Sequence, residues 1–203
     1  KEYRRQRQMC IRDRVTGVRN GTKTDHSTSV RFDGINDYFE SQFDRNWNGK
    51  DITVEMWVLE DQPQDAVFFS HGNRNESFEF GITADNKLKV KVGSTEIISQ
   101  EAVPYDQGTW AHVAVELDKD GRVSAYYNFV EFIHSIQAET YTGEGNFVFG
   151  RSIATESGYY AGKMHNVRIW DTLLTSGRLQ TNSLNLLLSL IHISEPTRHA
   201  QIS

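Results

Sequence analysis

Cysteine is nearly missing from this chain. Cys10 is the one cysteine in 203 residues, so there is no intrachain disulfide framework and no cysteine-based zinc site. A chain of this length can bury a proper core without such staples, so their absence does not argue against secretion. Proline is scarce too, with three residues. No apolar run is long enough to cross a membrane as a helix. Leu184–Ile193 is a mostly apolar decad, against the roughly 20 residues a span requires. Positive charge is short, with 22 Lys and Arg against 27 Asp and Glu. The seven histidines show no metal-ligand spacing, and no Gly-rich phosphate loop or Ser-His-Asp arrangement can be drawn.

The two ends do not continue the pattern of the middle. Arg7–Arg14 (RQMCIRDR) and Leu188–His199 (LSLIHISEPTRH) resemble conceptual translations of sequencing-library adapters, an artefact of assembled metagenomic reads. Residues 1–21 are read as an artefactual or disordered leader, 183–203 as an artefact tail, and 22–182 as the domain. No signal peptide is visible, and the true N-terminus is expected to be missing. Setting aside 1–14 and 183–203 removes seven basic and three acidic residues, leaving 15 against 24, a formal −9. A polyanion partner needs a basic stripe to release counterions. None remains, so no nucleic acid is expected, and no membrane insertion.

What is there is strand after strand. Thr109–Asn128 (TWAHVAVELDKDGRVSAYYN) alternates apolar and polar residues, turns at Asp120-Gly121, and alternates again. That period of two predicts an antiparallel hairpin with one buried face. Ile52–Leu59 puts Ile52, Val54, Met56 and Val58 on one face, and Thr53, Glu55 and Trp57 on the other. Lys87–Val92 sends Leu88, Val90 and Val92 inward and three lysines outward. Further strands are predicted at Ser29–Phe32, Tyr38–Glu40, Ala66–Ser70, Phe78–Thr83, Thr95–Ser99, Glu131–Ile136, Phe147–Gly150 and Tyr160–Trp170. A polar loop is expected at His71–Ser77 and a short helical turn at Thr175–Gln180. Strands spaced by about 8–12 residues, with Gly, Asn and Asp at the breaks, argue one all-β domain, a sandwich or barrel.

Taken in order, VRFDGINDYFE (Val30–Glu40), DITVEMWVLE (Asp51–Glu60), the Thr109–Asn128 hairpin and GKMHNVRIWDTLLT (Gly162–Thr175) resemble the laminin-G-like jelly rolls. These are relatives of the pentraxins and legume lectins within the concanavalin A-like group. The resemblance covers about Ser29 to Asn182 and implies an all-β, two-sheet antiparallel jelly-roll sandwich. It implies that the first and last strands pair, with Val30–Phe32 beside Val167–Trp170. It also implies an extracellular or cell-surface binding module, whose partner is a glycan or an extracellular protein. Two departures stand out. Relatives close the strand after the Asp-Gly hairpin with Asn-Gly, whereas Phe129 follows Asn128 here, so a longer or differently shaped turn is expected. Relatives carry acidic residues before the last strand, where this chain has His165-Asn166.

The same resemblance suggests where a ligand would bind. FFSHGNRNESFEFG (Phe68–Gly81) is similar to the calcium-binding segment of pentraxins, with Asn75-Glu76 at the matching positions and Glu156 in a second loop, Ser152–Tyr160. Ca2+ is the cofactor this allows, held by Asn75, Glu76 and Glu156. Because calcium takes six to eight oxygens, two carboxylates and two amides (Asn73, Asn75) make a thin set, and two solvated loops are the plainer reading. Asn73, Asn75, Tyr159 and Tyr160 are the candidate ligand contacts on that rim. Trp57 with Glu55, Trp110 with His112, and Tyr126-Tyr127 are further aromatic candidates for a sugar platform, each open to a plain packing role. The fold also hosts retaining glycosidases, which need paired carboxylates. Glu116 and Asp118 are the nearest match, but acids before an Asp-Gly turn are ordinary turn chemistry. A non-catalytic module is therefore expected. A structural spacer is the alternative, and a glycosidase the remoter one.

Overall fold

The computed structural model describes residues 9–10, 29–41 and 46–182. Thirteen strands run through them. They are β1 (Met9–Cys10), β2 (Val30–Asp33), β3 (Phe39–Glu40), β4 (Ile52–Glu60), β5 (Ala66–Gly72), β6 (Ser77–Ile82), β7 (Leu88–Val92), β8 (Thr95–Ile98), β9 (Ala111–Leu117), β10 (Arg122–Tyr127), β11 (Val130–Gln137), β12 (Asn146–Phe149) and β13 (Ala161–Trp170). The first sheet has the order β1-β13-β4-β9-β10-β11, with β2 also paired to β13. The second has the order β3-β12-β5-β6-β7-β8. All pairings are antiparallel. The fold is the expected all-β jelly-roll sandwich, in which strands adjacent in a sheet are often distant in the chain.

The alternation read in the sequence decides which faces meet. Ile52, Val54, Met56 and Val58 of β4 are at most 1% exposed and pack with Val113, Val115 and Leu117 of β9. Leu88, Val90 and Val92 of β7 close on them from the second sheet with Phe78, Phe80 and Ile82 of β6. A register shift between Val67 and Phe69 turns both Phe68 and Phe69 of β5 into the same core. Aromatic edges then lock one against another. Phe68 meets Phe80 and Tyr160 at 75° and 81°, the edge-to-face geometry that ring quadrupoles favour.

Three expectations need correcting. The first and last strands do pair, but Val30–Phe32 lies beside Gly162–Met164, not beside Val167–Trp170. Side-chain packing sets that register: Phe32 stands edge-on to Tyr160 at 5.9 Å, and Gly162 opposite it has no room for a side chain against Leu59 and Tyr160. The predicted loop His71–Ser77 is shorter, because β5 continues through Gly72. His71 is buried between Trp47 and Phe147, each 4.7 Å away, with its Nδ1 2.6 Å from the Tyr141 hydroxyl. Finally, the Asn128-Phe129 turn is not lengthened. Tyr127 pairs directly with Val130, and both turn residues take the left-handed angles of a two-residue hairpin, φ 47° and 69°. A phenylalanine there is strained by about 1–2 kcal/mol. Its ring stacks on His112 at 4.5 Å, which offsets part of that strain.

After β13 the chain crosses the outer face of the first sheet and turns helical over 176–182. Thr175 opens this helix as anticipated, its carbonyl accepting from the N–H groups of Arg178 and Leu179. Leu174 and Leu179 are buried against Ala114, Tyr126 and Trp170, a second apolar cluster outside the sandwich core. β11 is irregular: its pairing with β10 slips twice, and Ser135 takes φ 46°.

Candidate functional site

The rim residues anticipated from the sequence do not converge. Asn73 folds its own loop, its Oδ1 accepting from the backbone N–H of Asn75 (2.9 Å) and Glu76 (3.1 Å). Asn75 is exposed. Glu76 turns to Thr142, accepting from its N–H at 2.8 Å and its hydroxyl at 2.9 Å. Glu156 pairs with Arg74 and lies 3.8 Å from Arg151. Each carboxylate thus has partners of its own. Among the described residues no group of three or more His, Cys, Asp or Glu side chains is placed to hold a metal ion.

Tyr160 is not at the rim. It is fully buried between Phe32 and Phe68, its hydroxyl donating to the Lys163 carbonyl at 3.3 Å, and burial pushes the phenol well above its usual range. Strand-like alternation carries its ring inward, and Tyr159 beside it is half-buried. Tyr126 and Tyr127 are buried as well, the first in the helix-covered cluster and the second in the core.

A cleft of about 290 Å³ opens instead beside the Ser152–Gly158 segment, on the outer face of the second sheet. Because Phe78, Phe80 and Ile82 of β6 point inward, Ser77, Glu79 and Gly81 point out. Glu79 pairs across the sheet with Lys91, and Lys91 with Glu96, so an acid–base–acid row spans β6, β7 and β8. Exposure rises along it. Glu79 is buried at 7%, Lys91 is half-buried and Glu96 is exposed. Glu79 Oε1 accepts from the hydroxyls of Ser77 (2.9 Å) and Ser152 (2.7 Å), and no hydrogen bond from the described residues reaches Oε2. Among the described residues Lys91 has neither an ion pair nor a hydrogen bond, while Lys89 is paired with Asp65 at the mouth. The wall is stiff: Ser152 Oγ accepts from the N–H groups of Ala154 and Thr155, and the Thr155 and Ser157 hydroxyls lie 2.8 Å apart. The cleft therefore offers a free carboxylate oxygen, a free ammonium and paired hydroxyls on a rigid frame.

The opposite outer face carries a buried polar network. Glu55 Oε1 accepts from Arg168 (3.1 Å) and from the Trp170 indole N–H (3.0 Å), and its Oε2 lies 3.0 Å from His112 Nε2. All four residues are at most 8% exposed. Arg168 and Trp170 were not singled out in the sequence, although the outward position of Glu55 on β4 called for partners. Glu116 accepts from the Leu174 N–H at 2.7 Å and from the Tyr126 hydroxyl at 3.2 Å, and burial raises its pKa. Asp118 Oδ1 accepts from the N–H groups of Asp120 and Arg122 in the hairpin turn. These two acids therefore do structural work in different places: one sits under the C-terminal segment and the other caps a turn.

No curated protein matches the sequence. Among solved structures, the fold is similar to a native heptameric SAP-like pentraxin from Limulus polyphemus, with TM-score 0.60 and 18% identity over 75% of this chain and 80% of that one. Domain 4 of AbnA, a GH43 extracellular arabinanase from Geobacillus stearothermophilus solved in complex with arabinotriose, aligns with TM-score 0.58 and 15% identity over 86% of each chain. Trypanosoma rangeli sialidase in complex with sialic acid gives TM-score 0.60 and 13% identity over 88% of this chain, which spans 30% of that enzyme. At such identities these likenesses show the fold alone. Residues 33–180 match the family Laminin_G_3, described as the concanavalin A-like lectin/glucanases superfamily. With the sandwich, its strand order and this match together, the chain belongs to the laminin G-like family of the concanavalin A-like lectin/glucanase superfamily.

Proposed function

We propose that this domain is a non-catalytic carbohydrate-binding module of a larger extracellular or cell-surface protein, and that it binds sugar in the cleft beside Ser152–Gly158. The observation that carries this reading is the half-used row on the second sheet. Glu79 keeps one oxygen free and Lys91 its ammonium, so together they supply the acceptor and donor that a pair of adjacent sugar hydroxyls needs. A volume near 290 Å³ is at the small end for ligand sites and suits one sugar residue, not a long chain. A solved relative of the fold with arabinotriose bound lends support. The carboxylates read from sequence as calcium ligands have Thr142, Arg74 and Arg151 as partners, which favours binding without Ca2+.

Calorimetric titration with a panel of methyl glycosides and arabinotriose tests the reading. Binding should occur equally in calcium and in chelator, and Glu79→Gln or Lys91→Met should weaken it roughly tenfold or more, about 1.4 kcal/mol. Absence of binding across the panel, with a melting temperature that no sugar raises, would point to a spacer domain. A melting temperature raised by calcium alone would point to Glu76 and Glu156 on the rim as the ligand site.

A further inference from the structure

Outside the helix-covered half, the outer face of the first sheet carries an aromatic row with no role in the cleft. His165, Trp57 and His112 are direct cross-strand partners on β13, β4 and β9. Three strands at the usual spacing span about 10 Å. The Trp57 and His165 rings lie nearly parallel, 16° apart with centroids at 6.1 Å. Trp110 stands at 85° to His165 at 4.5 Å, so the two indoles make a step with a floor and a riser. At the far end His112 stacks on Phe129, which meets Trp57 edge-on. Trp57, Trp110, His165 and Phe129 are all half-buried.

Three further observations set this row apart from ordinary sheet cover. Of the six non-glycine residues in the left-handed region among the described residues, Asn128, Phe129 and Asn166 flank it. Asn166 sits in the bulge that interrupts the pairing of β13 with β4 directly after His165. Strained backbone of this kind persists only where the surroundings over-determine it, and it concentrates at binding sites. One end of the row is anchored, because Glu55 holds His112 along with Arg168 and Trp170. That ring is therefore preorganised, which lowers the ordering cost of binding. Lastly, His112 is 1% exposed and its Nδ1 has no hydrogen-bond partner among the described residues, an unmet polar demand at one end of the row. Asn128 is exposed and uses its Oδ1 on the His112 N–H, which leaves its amide N–H groups for a ligand.

We infer that the step formed by Trp57, His165 and Trp110 is a second ligand surface, independent of the cleft, that takes the flat apolar face of a β-1,4-linked pyranose chain. Sugars whose substituents are all equatorial, such as xylose and glucose in this linkage, present unbroken C–H faces. A flat indole complements such a face while side-chain amides take the peripheral hydroxyls. A puckered furanose or an axial substituent lifts the ring from the floor. The domain would then hold a polysaccharide chain along one face and a single sugar residue on the other.

The indole N–H signals of the four tryptophans in a ¹H–¹⁵N NMR titration test this directly, with xylotriose and cellotriose as probes and arabinotriose as the contrast. The Trp57 and Trp110 signals should move with the pyranose trioses, whereas those of the buried Trp47 and Trp170 should stay. Trp110→Ala should raise the dissociation constant roughly tenfold or more, and Glu79→Gln should leave it unchanged. Trp57→Phe, which keeps an aromatic floor, is the second variant, and it should weaken binding less than Trp110→Ala. The inference is overturned if neither pyranose triose moves Trp57 or Trp110, or if the Trp57 shift survives Trp110→Ala. It is equally overturned if Glu79→Gln abolishes the shifts, which would assign them to the cleft. Shifts confined to Gly81 and Ser157 amides would support the cleft alone and sink the step.

Discussion

The outer faces of the two sheets obey the same alternation and end in opposite states. On the second sheet the outward residues of β7 and β8, Lys89, Lys91, Glu96 and Ile98, remain half-buried or exposed, and the row from Glu79 to Glu96 opens to solvent. On the first sheet the outward residues Thr53, Glu55, His112 and Glu116 are as buried as the core. The difference lies in what the chain does afterwards. Leu174 and Leu179 return over half of the first sheet and the aromatic row shields the rest, whereas nothing among the described residues returns over β7 and β8. A polar residue pointing away from a core is thus a surface residue on one sheet and a structural one on the other.

The largest expected effect tests the buried side of that contrast. Glu55→Ala leaves Arg168 buried without its carboxylate and should cost about 3–5 kcal/mol in chemical denaturation. Glu96→Ala, outward on the other sheet, should change stability by less than about 0.5 kcal/mol. Similar costs for the two would erase the distinction between the faces.

A second test compares Glu55 with Glu60 on the same strand. Glu60 is 5% exposed with an oxygen that no donor among the described residues reaches, and burial raises its pKa to about 7. With an unfolded value near 4.5, its contribution to stability is fully present below about pH 4.5 and is lost as pH rises through about 7. Glu60→Gln mimics the protonated form and should remove that decline. The variant should gain up to about 3 kcal/mol over wild type above neutrality and match it in acid. Parallel pH profiles of melting temperature would refute this.

Leu179→Ala should cost about 2 kcal/mol by opening the cover over Trp170 and Tyr126. It should also quicken hydrogen exchange of the Leu174 N–H that Glu116 holds. The smallest effect is expected from Phe129→Gly. Relief of a left-handed phenylalanine offsets the lost stacking on His112, so the net change should fall within about 1 kcal/mol. A loss well beyond that would mean the ring holds the row together.

Much of the sandwich could be read from period-two alternation, because burial of one face is a local property of each strand. Asp118 was equally legible as a turn acid, since its partners Asp120 and Arg122 lie within four residues. The partners of Glu55 lie 57, 113 and 115 residues away, and nothing local announces them. The register of β2 on β13 escaped for a related reason: the Phe32–Tyr160 contact that sets it joins the two ends of the domain. The cleft was half legible. The Ser152–Tyr160 loop was singled out, but for Glu156 and Tyr160, while the groups it brings into play are Ser152, Thr155 and Ser157 against Glu79 and Lys91. Hydroxyls carry little signal in a sequence until a carboxylate is seen opposite them.

The irregular course of β11 bears on how these molecules behave in a crowd. β8 and β11 are the free margins of their sheets, they border a common hollow, and Ile98, Val130 and Ile136 lie exposed along it. A straight, apolar margin invites a neighbouring copy to add its own strand and so to grow into an aggregate. Here β8 is four residues short, and β11 is kinked at Ser135 with its ladder twice out of step. The first is too short and the second too uneven to template a docking strand. The kink at Ser135 thereby leaves a margin that is apolar in composition but uneven as a template for pairing.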